Sequence, residues 1–182
     1  MTLSEKFSAD PGQAPQLSLN KRQIGAAASK LVAASIGDIA VVFARSPVHK
    51  HYSLADIEWM ILPPVLSGQF YVAELANKET GFHAPIAVAT WAFVSEEIDK
   101  RLQSDPAPRI RLRPEEWRSG DIGWIVDLAG DARGIQGALE WLKAGPFKDK
   151  EGKILTRDAA GGLRLDRLGG LTVDRKKEKE TE

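Results

Sequence analysis

The sequence predicts an α+β domain in which a mostly antiparallel sheet is covered by helices. Three observations carry that expectation. Apolar residues recur at three- and four-residue steps from Ile24 to Val42; two strand-like runs flank the Gly-containing stretch Asn77–Gly81; and a strand, a Gly-rich turn and a helix follow one another from Trp124 to Leu142.

The elements follow in chain order. Residues 1–19, with Pro11, Gly12 and Pro15 among polar neighbours, read as a flexible arm too poor in apolar groups to offset the entropy of ordering. Asn20 suits the N-cap of an amphipathic helix bearing Ile24, Ala28, Leu31, Ser35, Ile39 and Val42 on one face, with Gly37 as a point where it divides. Ser46-Pro47 ends that helix, because the residue before proline is driven out of the α region. A second helix starts at Ser53, paired with Asp56 three residues on, shows Leu54, Ile57, Ile61 and Val65 on one side, and is kinked or ended by Pro63-Pro64. Strands are expected over Gln69–Leu75 and Pro85–Phe93, the second buried on both faces, then a short helix over Ser95–Leu102. Arg109-Ile-Arg-Leu-Arg113 alternates charge with aliphatic residues as a strand with one wet face would, and Pro114 ends it. Trp124–Leu128 is an apolar strand holding one carboxylate, and short strands are expected between Ile154 and Leu171. Asp174–Glu182, with four positive and four negative residues and nothing apolar, reads as a disordered tail, so the folded domain is expected over residues 20–172.

Composition narrows the function classes. The 182 residues carry 25 Lys+Arg against 25 Asp+Glu, a balance that argues against a nucleic-acid-binding domain, which displays a basic excess. With no cysteine, disulfides, thiolate metal sites and Cys nucleophiles are all excluded. No apolar run is expected to reach the ~18 residues that span a bilayer, and residues 1–18 show no apolar signal core, so a cytoplasmic protein without a membrane span is expected.

Several side chains could carry chemistry. His49 lies just after Ser46-Pro47, where it reads either as a cleft-facing general base or as an exposed loop histidine beside Lys50 and His51; imidazole titrates close to neutrality, at ~6.5. The pair His49 and His51 lacks a nearby third ligand for a metal. Asp127 sits inside an apolar strand, where a carboxylate needs a partner and could orient a histidine, or else it faces water from an edge strand. The turn Gly130–Gly134 could offer backbone N–H groups to a phosphate, or it is an ordinary loop. Arg109, Arg111 and Arg113 could dock an acidic protein or form a solvated face. The five tryptophans suit a core.

Six segments sharpen this picture: Ile36-Gly-Asp-Ile-Ala-Val-Val-Phe-Ala-Arg-Ser-Pro-Val-His49, Ile61-Leu-Pro63, Gln69-Phe-Tyr71, Pro85-Ile-Ala-Val-Ala-Thr-Trp-Ala92, Trp117-Arg-Ser-Gly-Asp121 and Trp124-Ile-Val-Asp127. In this order and spacing they resemble the RTX toxin-activating lysine acyltransferases over residues 36 to about 142. The resemblance implies a fold like the Gcn5-related N-acetyltransferases. The implied activity moves a fatty acyl chain from acyl-acyl carrier protein, a co-substrate, to internal lysines of an RTX-type protoxin or another secreted repeat protein, with no resident cofactor. It further implies catalytic roles for His49 and Asp127, involvement of Ser46, and a homodimer. Two departures stand out. About 35 residues precede the matching region, and Asp127 is followed by Leu-Ala-Gly-Asp131 in place of the family's aromatic-rich Ile-Ala-Pro-Phe-Gly. Two other readings fit the same residues, a small-molecule N-acyltransferase using acyl-CoA and a non-enzymatic binding module for a secreted partner.

Overall fold

A computed structural model describes residues 21–104, 109–157 and 160–171 of the chain. The N-terminal arm with its expected N-cap Asn20, and the charged tail, lie outside these residues.

Helix α1 (Lys21–Arg45) runs unbroken through Gly37. A single glycine costs about 1 kcal/mol against Ala, too little to divide a helix otherwise rich in Ala. Only its second half packs: Ile39, Val42 and Phe43 are buried, whereas Ile24 and Leu31 on the same predicted stripe are more than half exposed. The expectation of no span-length apolar segment is also corrected. With small residues and few charges, α1 contains an 18-residue window of mean hydropathy 1.6, long and apolar enough to cross a membrane by length and composition.

The expected second helix is split. A 3₁₀ turn over Leu54–Asp56 leads into α2 (Ile57–Met60) and α3 (Leu62–Ser67), with Pro63 and Pro64 in the first turn of α3, where a missing N–H costs nothing. Ser53 and Asp56 meet as expected, the Asp56 carboxylate accepting from the Ser53 N–H at 2.8 Å. Leu54 nonetheless points to solvent.

Strands β1 (Phe70–Ala76), β2 (His83–Val94), β3 (Ile122–Gly130), β4 (Gly152–Arg157) and β5 (Leu163–Arg167) form one sheet in that order. All neighbours are antiparallel except β3 and β4, which run parallel. Between them lies α5 (Ala132–Ala144), since a parallel connection needs a crossover. The result is a mixed, mostly antiparallel open sheet flanked by helices, consistent with the acetyltransferase-like architecture expected.

Burial follows from the period-2 alternation of strands. Ala89 and Trp91 of β2 face α5 together with Ile125 of β3. Val88, on the opposite face, packs with Ala129 against α1, α2 and α3. Further along that face Ala92, Val94 and Trp124 pack against α4 (Glu96–Ser104) and the segment after it. β2 is thus buried on both faces, as its sequence indicates. Trp91, Trp117 and Trp124 are core residues, while Trp141 is partly exposed.

The expected strand over Arg109–Arg113 does not form. The segment keeps its alternation, burying Ile110 and Leu112, but pairs with no strand of the sheet. Its polar side is held by side chains: Arg109 lies 4.0 Å over the Tyr52 ring, Arg111 4.2 Å over Trp59, and Arg113 donates to Glu116.

Glu116 anchors this region. Its buried carboxylate accepts two bonds from Arg101, at 2.9 and 2.8 Å, and one from the Arg113 N–H at 2.9 Å. The Arg101 hydrogen bonds, then those of Arg113, hold its carboxyl down to about 2, from an ordinary 4.5. A depressed carboxyl stabilises the fold fully above its unfolded pKa and ceases to as pH falls through the folded one. Glu116→Gln should therefore cost roughly 2 kcal/mol near neutrality, a figure reduced for the solvent exposure of both arginines, and the gap to wild type should close between pH ~4.5 and ~2. Denaturant titrations across that window check it; a gap independent of pH would refute the assignment.

Candidate functional site

The C-terminus of α1 builds half of the site. Pro47 ends the helix, and the Ser46 carbonyl then accepts the N–H groups of His49 (3.1 Å) and Lys50 (2.9 Å). That tight turn folds His49 back onto α1, where its ring stacks on Phe43 at 4.2 Å with an interplanar angle of 6°. His49 is consequently buried, at 7% exposure, and the exposed-loop reading is set aside; His51 two residues on is exposed.

A β-bulge supplies the other half. Trp91 pairs with Ile125 and Thr90 with Asp127, leaving Val126 as the extra residue in β3. In a regular strand Asp127 would share the face of Ile125, under α5. The inserted residue reverses the alternation, so Asp127 shares the face of Ala129 and meets the turn after α1. Its N–H is secured at 3.1 Å by the hydroxyl of Thr90.

The two halves join in a hydrogen-bonded chain. His49 Nε2 lies 2.9 Å from Asp127 Oδ1, and His49 Nδ1 lies 2.8 Å from Ser46 Oγ. A carboxylate can only accept, so in neutral His49 the proton sits on Nε2 and is donated to Asp127. Nδ1 is then the free base, accepting from the Ser46 hydroxyl. Of the sequence candidates, Ser46, His49 and Asp127 come together, although 78 positions separate the last two.

The arginine cluster divides. Arg109 reaches the site, donating to the Val48 carbonyl within the His49 turn and covering Tyr52. Burial pushes the Tyr52 phenol up and Arg109 opposes that rise. Arg111 lies over Trp59, which packs edge-on against Tyr52 at 5.7 Å, and Arg113 pairs with Glu116, so all three stay on the exposed side of the segment and only Arg109 touches the His49 turn.

Gly130 and Gly134 are explained by packing. A Cβ on Gly130, whose φ is +134°, would fall 2.3 Å from the Ile86 carbonyl oxygen, and one on Gly134 would fall 2.7 Å from the Ala87 Cβ. The Gly134 N–H, offered in the sequence reading to a phosphate, is taken at 2.6 Å by the carboxylate of Asp131, the N-cap of α5. That N–H is therefore already paired with a negative group, and packing alone accounts for both glycines.

Sequence reasoning missed Phe43, Tyr52 and Thr90. The aromatics at 43 and 52 bracket the Ser-Pro turn, a signal that proximity alone could have raised; the Thr90 contact depends on strand register and left none.

Beside Asp127 a cleft of about 390 Å³ opens. The pairing of β3 with β4 stops at Ile125 and Ile154, and beyond that point Val126 and Leu128 on one strand and Leu155 and Thr156 on the other line opposite sides of the gap. A crevice at the carboxyl ends of parallel strands is a common ligand position in such sheets.

Fold and site together define an α+β protein with a hydrogen-bonded Ser–His–Asp chain beside a largely apolar crevice. Comparison with known sequences places it further. The family model described as the RTX toxin acyltransferase family, HlyC, matches residues 29–167, and the chain belongs to that family. It is 36% identical over 93 residues to the lysine-acyltransferase RtxC of Vibrio cholerae, covering 51% of this chain and 56% of the relative. It is 32% identical over 92 residues to the leukotoxin-activating lysine-acyltransferase LktC of a Pasteurella haemolytica-like species, covering 50% of each. A protein-lysine myristoyltransferase, HlyC of Escherichia coli, is 25% identical over 115 residues, 63% of this chain and 60% of the relative. The chain thus spans about half the length of curated relatives it matches.

Proposed function

We propose that this protein is a protein-lysine fatty acyltransferase, taking an acyl chain from acyl-acyl carrier protein to internal lysines of an RTX-type protoxin in the cytoplasm. The observation that carries the reading is the relay Ser46–His49–Asp127, with His49 Nε2 on Asp127 and Nδ1 on Ser46 at the mouth of a largely apolar cleft, in a chain of this family.

A lysine side chain, with an ordinary pKa of ~10.4, must first release one proton to solvent and enter the site as the neutral amine, whose second proton is removed as it attacks. On arrival it replaces the Ser46 hydroxyl as the donor to His49 Nδ1. As its lone pair forms the C–N bond to the thioester carbonyl carbon, its proton passes to Nδ1, and the resulting imidazolium is stabilised by the Asp127 carboxylate 2.9 Å from Nε2. Collapse of the tetrahedral intermediate breaks the C–S bond, and the departing thiolate takes the proton from Nδ1. The thioester is already activated, so a base and correct placement suffice. Ser46 in this scheme is a positioning residue that holds the imidazole until the amine arrives.

A carrier-protein donor is favoured by Asp131. Its carboxylate at the start of α5 would repel the pyrophosphate of a free coenzyme A at the helix terminus otherwise suited to bind it. The test combines the purified chain with a candidate protoxin and either acyl-acyl carrier protein or acyl-CoA, and reads modified lysines by mass spectrometry. Lysine acylation dependent on the carrier-bound donor is expected. No modified lysine with any donor, or acylation of small amines from acyl-CoA alone, would overturn the proposal.

A further inference from the structure

The cleft beside the relay has a composition the chemistry at His49 does not require. Ile135 and Leu139 on α5 form one wall, Leu128 and Ile154 come from the two parallel strands, and Leu163 comes from β5, an edge strand of the sheet two strands away from the one that holds Asp127. Among the described residues no Phe, Tyr or Trp lines it. Its polar groups fall into two sets. Ser46, His49, Asp127 and Arg109 belong to the reacting end. Thr156 and Arg157 lie on the β4–β5 side and are bonded within that hairpin, Thr156 donating to Asp166 and Arg157 to the Gly161 carbonyl at 2.9 Å. Beyond the relay, then, these rim groups already have partners.

A 390 Å³ space of this kind, within the ordinary range for small-molecule sites, suits a flexible aliphatic chain whose one polar end stays at Asp127 and His49. We infer that this crevice holds the hydrocarbon of the acyl group, with Leu163 and Ile135 setting the longest chain accepted. The inference rests on the acyl-transfer reading above and deepens it by assigning the specificity residues. Physical selection follows from burial: each methylene that fits adds roughly fourfold to affinity, and one forced against the end wall loses that gain and strains the packing. The splayed strands make this possible, because a β3 paired with β4 along its whole length would close the space.

Two measurements test it. In the first, transfer is followed by mass spectrometry across carrier-bound chains from octanoyl to stearoyl, for wild type, Leu163→Trp, Ile135→Trp and Leu163→Ala, each shown folded by circular dichroism. The ratio of long- to short-chain transfer should fall by about tenfold or more in the tryptophan variants and rise in Leu163→Ala. In the second, free fatty acids from octanoate to stearate displace a fluorescent fatty acid from the same four proteins, which needs no turnover. A shifted binding profile in a wild type that transfers nothing would sink the acyltransfer reading and leave the cleft assignment standing. Active wild type with chain-length profiles unchanged in all folded variants would overturn the cleft assignment alone.

Discussion

His49→Ala is expected to lower lysine acylation by about 10³–10⁴-fold in kcat, with little change in the apparent KM for the target. The variant removes the one nitrogen that faces away from Asp127 and can accept a proton, and general-base assistance contributes 10²–10⁴ where the nucleophile is protonated at working pH. Asp127→Asn should cost about 10²–10³-fold by a different route. An amide at that place either leaves the imidazolium without its counter-charge or, turned about, donates to Nε2 and forces the proton onto Nδ1, where the base is needed. Ser46→Ala separates two chemistries at the same nitrogen. As a positioning residue Ser46 should cost only about tenfold, rescued by Ser46→Thr, because the amine itself supplies the donor to Nδ1. Rates from single-turnover acylation, with modified peptides counted by mass spectrometry, decide among these. A Ser46→Ala loss as deep as that of His49→Ala would show that the hydroxyl carries the acyl group, and an active His49→Ala would remove the base altogether.

Much of this arrangement was legible in the sequence because it is local. The hairpin of β1 and β2, the strand–turn–helix from Trp124 and the break at Ser46-Pro47 all depend on patterns a few residues long, and each appears where the pattern puts it. The meeting of His49 with Asp127 was of another kind. Alternation alone sends Asp127 under α5, and only the extra residue Val126 turns it toward α1; a bulge is a property of the pair of strands and leaves no trace in one of them. The motif resemblance joined the two residues, and the bulge gives the physical reason they meet. Arg109–Arg113 failed in the opposite sense: its alternation was real, but a strand needs a ladder, and Tyr52, Trp59 and Glu116 satisfied the arginines from elsewhere in the chain. The first half of α1 failed because periodicity reports which side of a helix is apolar and says nothing of whether another element covers it.

The second large effect concerns the clamp behind the cleft. Trp124 of β3 and Lys153 of β4 are register partners in the short parallel pairing, and both reach Asp99 of α4. Its buried carboxylate accepts the Trp124 indole N–H at 2.8 Å, the Lys153 ammonium at 2.7 and 2.9 Å, and the Gln103 amide at 2.7 Å. Asp99→Ala therefore strands an indole donor and a mostly buried ammonium together, and should destabilise the fold by about 3–5 kcal/mol, read as a shift in the urea midpoint at unchanged slope. Much of that loss belongs to the orphaned charge. Adding Lys153→Met should recover a kcal/mol or more, a coupling measurable in a double-mutant cycle because the two residues touch. The pairing it holds, Gly123–Ile125 against Gly152–Ile154, is where the two strands meet before they separate, so the same carboxylate fixes the apex from which the cleft opens. A folded Asp99→Asn, which keeps the Trp124 acceptor but loses the charge, should accordingly accept a broader range of acyl chains than wild type. Stability and chain-length profile both unchanged in Asp99→Ala would refute the clamp.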